Sequence, residues 1–104
     1  MKFRYSLTRT ARRDLEQISD YWTAEAGEDI AVRIVAGILD TVITLSLLPM
    51  AGVAAEQFGL SVRKFPAGNY MIYYRTGRSR SIQILHVFHG ARQQGKAWGD
   101  ESVD

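Results

Sequence analysis

The stretch FRYSLTRTARRDLEQISDYWTAEAG, residues 3–27, decides the fold, because the spacing of its apolar side chains changes at Thr8. Before it, Phe3, Tyr5 and Leu7 alternate with Lys2, Arg4 and Ser6. That period of two predicts a strand with one buried face. After it, Ala11, Leu15, Ile18 and Trp22 recur every three or four residues, which predicts a helix over roughly 9–26 with Thr8 as N-cap and Gly27 as its C-terminal stop. A second helix is expected from Glu28 or Asp29, whose carboxylates suit a helix N-terminus. It presents Ile30, Ile34, Ile38, Val42 and Leu45 on one stripe and ends before Pro49. A link as short as Gly27 folds the two helices into an antiparallel hairpin. Gly37 inside the second helix costs about 1 kcal/mol relative to alanine, and predicts a close helix crossing.

Downstream of a loop over 49–60, three more strands are expected. Residues 61–65 form one; Phe65-Pro66-Ala67-Gly68-Asn69 has proline and glycine placed for a tight turn. Residues 70–75 form the next, a second turn spans 76–80, and 81–89 form the last. The last two strands are apolar on both faces: Tyr70, Ile72 and Tyr74 against Met71 and Tyr73, then Ile82, Ile84 and Phe88 against Leu85 and Val87. Strands of that kind sit mid-sheet, one face under the helices and the other available for docking. The class is therefore α+β: a strand, an antiparallel two-helix hairpin, then a three-stranded antiparallel sheet. Residues 1–93 form one domain, and 94–104, which show no periodicity, a flexible or partner-ordered tail.

The net charge of +2 conceals strong segregation. Residues 1–13 hold five basic side chains and no acid; 14–60 hold eight acids against Arg33 alone; 61–96 hold seven basic residues and no acid. A face built from Arg63, Lys64, Arg75, Arg78, Arg80 and Arg92 repels itself and expects an anionic partner. The absence of cysteine excludes disulfides, thiolate metal sites and cysteine nucleophiles. His86 and His89, with no acid nearby in sequence, do not make a metal ligand set, and Gly52 and Gly59 lack the pattern of a phosphate loop. No cofactor is expected. No signal-peptide or uninterrupted membrane-spanning run is legible, since Arg33 and Asp40 break the stretch from Ile30 to Leu48; a cytoplasmic protein without a membrane partner is expected.

The order of elements meets specific sequence in Leu7-Thr8, Arg13-Asp14-Leu15, Ile18, Tyr21-Trp22, Leu48-Pro49, Val62-Arg63, Phe65-Pro66, Gly68, Tyr70, Tyr73-Tyr74-Arg75 and His86-Val87 followed by His89-Gly90-Ala91-Arg92. Over about residues 3–93 this pattern resembles the ParE toxins of the RelE/ParE superfamily. The resemblance implies the toxic half of a type II toxin-antitoxin pair, neutralised by a ParD-like antitoxin in a heterotetramer or larger assembly. It also implies poisoning of DNA gyrase, and so a block to replication, with no sequence-specific nucleic acid binding by the toxin alone. The alternatives are a RelE-like ribosome-dependent mRNA endoribonuclease, or a weakly toxic protein that acts only within the antitoxin complex. Relatives often carry an arginine soon after the glycine of the loop Met50–Glu56, where this chain has Val53 and Ala54.

RNA cleavage at a 2′-hydroxyl needs a base, cations around the scissile phosphate and an acid for the leaving oxygen. RelE-like ribonucleases typically place a tyrosine close to the C-terminus, and nothing after Tyr74 is tyrosine. His86 and His89 have opposite parity on the last strand, which sets their rings on opposite faces. Tyr70, Tyr73 and Tyr74, among aliphatic neighbours, read as core. Arg63, Lys64, Arg75, Arg78, Arg80, His89 and Arg92 are therefore expected to bind target or antitoxin rather than to catalyse. In the corner His89 to Arg92, Gly90 is expected to supply a backbone angle that other residues avoid.

Overall fold

Thr8 turns the chain from strand to helix. In the computed structural model, which describes residues 4–77 and 81–90, its hydroxyl oxygen accepts the Ala11 N–H at 3.0 Å. This satisfies one of the orphan donors at the start of α1, Arg9–Ala26. Strand β1, Tyr5–Leu7, precedes it. Gly27, at φ +98°, closes α1 by donating to Trp22 O and Thr23 O, while its own carbonyl accepts the Ala31 N–H. One glycine thus ends α1 and begins α2, Glu28–Leu47, so the two helices fold back as a hairpin. Glu28 and Asp29 occupy the positive first turn of α2.

The remaining described elements are β2 Val53–Ala54, a 3₁₀ turn Glu56–Phe58, β3 Val62–Ala67, β4 Tyr70–Thr76 and β5 Ile82–His89. The strand order is β1-β5-β4-β3-β2. Three antiparallel strands were expected and form β3, β4 and β5, but the sheet has five strands and is mixed. β1 joins it parallel to β5, Leu7 beside Ile84, and β2 extends the other side antiparallel to β3. Strand β3 also runs through Pro66, leaving Gly68, at φ +63°, and Asn69 as the turn. Proline is tolerated there because β2 reaches only Arg63 and Lys64, so nothing requires the missing N–H of Pro66.

The hairpin covers one face of the sheet. Ala11, Leu15 and Ile18 from α1 and Ile38, Val42 and Leu45 from α2 pack on Tyr70, Ile72, Tyr74, Ile82, Ile84 and Val87. A second cluster lies on the other face: Ala55, Val62, Tyr73 and Leu85 are buried, with Phe58, Met71 and Phe88 against them. Tyr70, Tyr73 and Tyr74 all belong to the core, as expected. A β-bulge corrects the expected grouping of side chains on β5. The register with β4 passes from Tyr73 opposite His86 to Tyr74 opposite Ile84, leaving Leu85 extra. Ile82, Ile84 and Val87 therefore share the helix side, and Leu85 and Phe88 the other.

Two glycine readings are also corrected. Among the described residues nothing lies within 4 Å of where a Cβ on Gly37 would be, so no described element crosses there. Gly90 is not in the left-handed region; a Cβ on it would sit 3.1 Å from the carbonyl oxygen of Asn69, which accepts the Gly90 N–H at 2.7 Å. Close backbone approach, not a special angle, is what glycine provides at that corner.

Candidate functional site

Residues opposite one another in the antiparallel pairs share a face, and this separates the predicted cations. Lys64 lies opposite Tyr73, and Arg75 opposite Val62 and Gln83. Both therefore stand on the side away from the helices, with the Tyr73, Val62 and Leu85 cluster. The Arg75 guanidinium runs over Gly59, its Nη2 3.6 Å from where a Cβ there would be. Arg63 pairs with Tyr74 and so takes the helix side.

There Arg63 is part of a clamp. Its Nη1–H donates to Gly52 O at 2.6 Å, the Gly52 N–H donates to the Tyr74 hydroxyl at 2.9 Å, and that hydroxyl donates to Pro49 O at 2.7 Å. Gly52 is required by space: a Cβ would lie 2.5 Å from the Tyr74 hydroxyl and 2.7 Å from Lys64 O. Burial pushes the Tyr74 phenol above its ordinary pKa, opposed by the Gly52 N–H and the Arg63 charge. Burial alone raises Tyr73. Arg63 thus anchors the loop from Pro49 to β2.

The histidines lie on opposite sides of the sheet. His89 meets Tyr70 edge-on at 5.4 Å, and the Tyr70 hydroxyl accepts the Trp22 indole N–H at 2.8 Å. His86 stacks on Phe88 at 4.6 Å, with its Nδ1 3.2 Å from Asp14 Oδ2. The same carboxylate oxygen accepts the Val87 N–H at 2.9 Å. Arg78, Arg80, Arg92 and the tail 94–104 lie outside the described residues.

Of the predicted residues, then, Lys64 and Arg75 are brought to one face, while Arg63 and His89 are not. What the sequence reading missed is the edge beside them. Leu48, Met50, Val53 and Leu60, on the segment leading into and past β2, are all exposed, Met50 at 67% and Leu60 at 80%. Val53 sits opposite Lys64, and β2 has no strand on its outer side among the described residues. Four large apolar side chains inside a stretch that otherwise reads as loop were the available signal. An open strand edge with apolar side chains and two cations next to it is suited to receiving an extended chain that carries acids.

The profile of the ParE toxin of type II toxin-antitoxin systems, parDE, matches residues 5–94. Toxin ParE1 of Mycobacterium tuberculosis is 27% identical over 89 residues, spanning 86% of this chain and 91% of that protein. Among solved structures, the chromosomal ParDE toxin-antitoxin system of P. aeruginosa superposes with a TM-score of 0.71 at 24% identity, over 84% of this chain and 95% of that one. The toxin-antitoxin complex RelBE2 of Mycobacterium tuberculosis gives a TM-score of 0.61 at 24% identity, over 84% and 90%. At such identities these two structures speak for the fold.

Proposed function

Because the chain belongs to the ParE toxin family of type II toxin-antitoxin systems, we propose that it is a toxin that acts by binding, with DNA gyrase as target, and that a ParD-like antitoxin neutralises it. The observation that carries this reading is the composition of the face away from the helices. Lys64 and Arg75 stand there over a floor of apolar and aromatic side chains, beside the exposed residues of the β2 edge. His86, His89, Tyr73 and Tyr74, four groups that could move a proton, are committed elsewhere. His86 is set against Asp14, His89 lies on the opposite side of the sheet, and the Tyr73 and Tyr74 phenols are pushed above their ordinary range by burial. Cations with apolar contacts, and no acid-base pair between them among the described residues, support docking over phosphodiester cleavage. An antitoxin segment bearing acids would neutralise Lys64 and Arg75 while pairing with the β2 edge, and would compete with the target for the same cations. Within the complex, protein localisation is expected to be cytoplasmic, where gyrase is.

Induction of the chain alone tests this. Growth arrest with filamentation and a DNA-damage response is expected, together with inhibition of gyrase supercoiling by the purified protein and rescue by a co-expressed ParD-type protein. Arrest with rapid loss of messenger RNA and intact supercoiling would replace the gyrase reading with the ribonuclease one. Unimpaired growth would mean a protein that acts only inside the antitoxin complex.

A further inference from the structure

Helix α2 has more apolar surface than the core uses. An eighteen-residue stretch of it has a mean hydropathy of 1.9, yet only 28% of that stretch is buried. The core takes Ala31, Ile38, Val42 and Leu45, with Ile34, Val35 and Leu39 partly buried against it. A second stripe, Val32, Ala36, Leu39 and Ile43, recurs at spacings of four, three and four, with Leu47 four residues further on. Val32 is 62% and Leu47 45% exposed; Ala36 is exposed, and Leu39 and Ile43 are half-buried. Four-three-four spacing is the seam of a two-helix contact. Arg33 and Asp40 are exposed seven residues apart, and so on one flank of that seam. Neither has an ion-pair partner among the described residues.

We propose that this stripe is the contact face of a homodimer, with α2 packed antiparallel against α2 of a second copy about a two-fold axis. The seam then sets Val32 against Ile43 of the second copy and Ala36 against Leu39 of the second copy, with small Ala36 letting the helices approach closely. The same alignment brings Arg33 of each copy beside Asp40 of the other, giving two symmetry-related ion pairs. A parallel pairing would leave Asp40 beside Val35. The flank has one cation and one anion and is self-complementary, unlike the acid-free stretch from Ser61 to Gln93, which calls for an acidic partner. The seam from Val32 to Ile43 is short, about 17 Å at 1.5 Å per residue, so the dimer is weak and depends on concentration.

The test is sedimentation velocity on the full chain over a wide concentration range. Growth arrest is not its readout, so failure of the toxin reading leaves it intact. The wild type is expected to pass from monomer to dimer as concentration rises. Arg33→Asp and Asp40→Arg each place like charges at both contacts, and each should raise the dissociation constant about tenfold. The double variant should recover most of that loss, and an equimolar mixture of the two single variants should form the heterodimer. Both residues are exposed, so circular dichroism should show an unchanged fold. Val32→Ser, which leaves the charges in place, should also weaken the dimer. A wild type that stays monomeric throughout, a dimer indifferent to these changes, or a double variant as weak as the singles would overturn the proposal. So would a monomeric wild type whose charge variants lose affinity for a ParD-type protein, since the face would then belong to the antitoxin.

Discussion

Replacing Asp14 with alanine should destabilise the protein through the last strand rather than through the helix that carries it. Strand β1 covers the outer edge of β5 only as far as Ile84, because the chain then turns into α1 at Thr8. The Thr8 N–H and hydroxyl take Ile84 O, and the hydroxyl also lies 3.2 Å from Leu85 O. Two residues further along β5, Asp14 supplies the acceptor for the Val87 N–H at 2.9 Å. Val87 is 3% exposed, so water cannot replace that acceptor without opening the edge. A hydrogen bond to a charged acceptor contributes about 1.5–3 kcal/mol, and a buried amide left without one costs a similar amount. Asp14→Ala should therefore cost about 2–3 kcal/mol, or roughly 10 °C in Tm for a chain of this size. Asp14→Asn keeps an acceptor oxygen and should cost about 1 kcal/mol. Urea unfolding followed by circular dichroism measures both, with Glu16→Ala, an exposed carboxylate half a turn away, expected within about 0.5 kcal/mol of wild type. If Asp14→Ala unfolds at the same midpoint as Glu16→Ala, the edge-capping role is wrong.

Gly37→Ala should stabilise the protein by about 0.5–1 kcal/mol, since the added Cβ meets open space inside a helix; a lower urea midpoint would show a contact the structure does not contain. Gly52→Ala should destabilise it by more than about 2 kcal/mol, because one neighbour of the new Cβ is the backbone oxygen of Lys64, which has little room to yield. Tyr74→Phe removes both an acceptor for the Gly52 N–H and a donor to Pro49 O, and should cost about 1–3 kcal/mol in the same assay. In alkali, Tyr73 and Tyr74 have folded pKa values above the ordinary 10.0, so the folded state holds protons that the unfolded chain releases. Their contribution is complete below pH 10.0 and is lost as pH rises through the folded values. Urea midpoints should fall above pH 10, less steeply in Tyr73→Phe; an identical slope in that variant would count against the assignment.

Both helices were legible because each is governed by neighbours in sequence. The three- and four-residue spacing, Thr8 at the entry and Gly27 at the turn place α1 and α2 within a residue or two of where they lie. In the sheet, β1, β3, β4 and β5 were legible from alternation or from apolar runs, but not all of their pairing. Two-residue β2 is too short to show a period, and the parallel partnership of β1 with β5 joins residues more than seventy positions apart. The bulge at Leu85 had no glycine or proline to announce it. Because it shifts the alternation by one, it exchanged the faces assigned to Val87 and Phe88, although the opposition of His86 and His89, both beyond it, survived.

The same geometry explains why charge alone could not sort the cations by face. Arg63 and Lys64 are adjacent in sequence and both cationic, yet strand alternation sends them to opposite faces. Arg63 finds the carbonyl of Gly52, a residue that no local pattern marks as its partner. Lys64 and Arg75 meet on the other face because both oppose buried apolar residues, Tyr73 and Val62. An acid-free run of sequence records the cations available to a partner but not the face each will occupy. The division follows from the pairing of β3 with β4: Arg63 holds the loop that leads into the open β2 edge, while Lys64 and Arg75 stand on the face away from the helices.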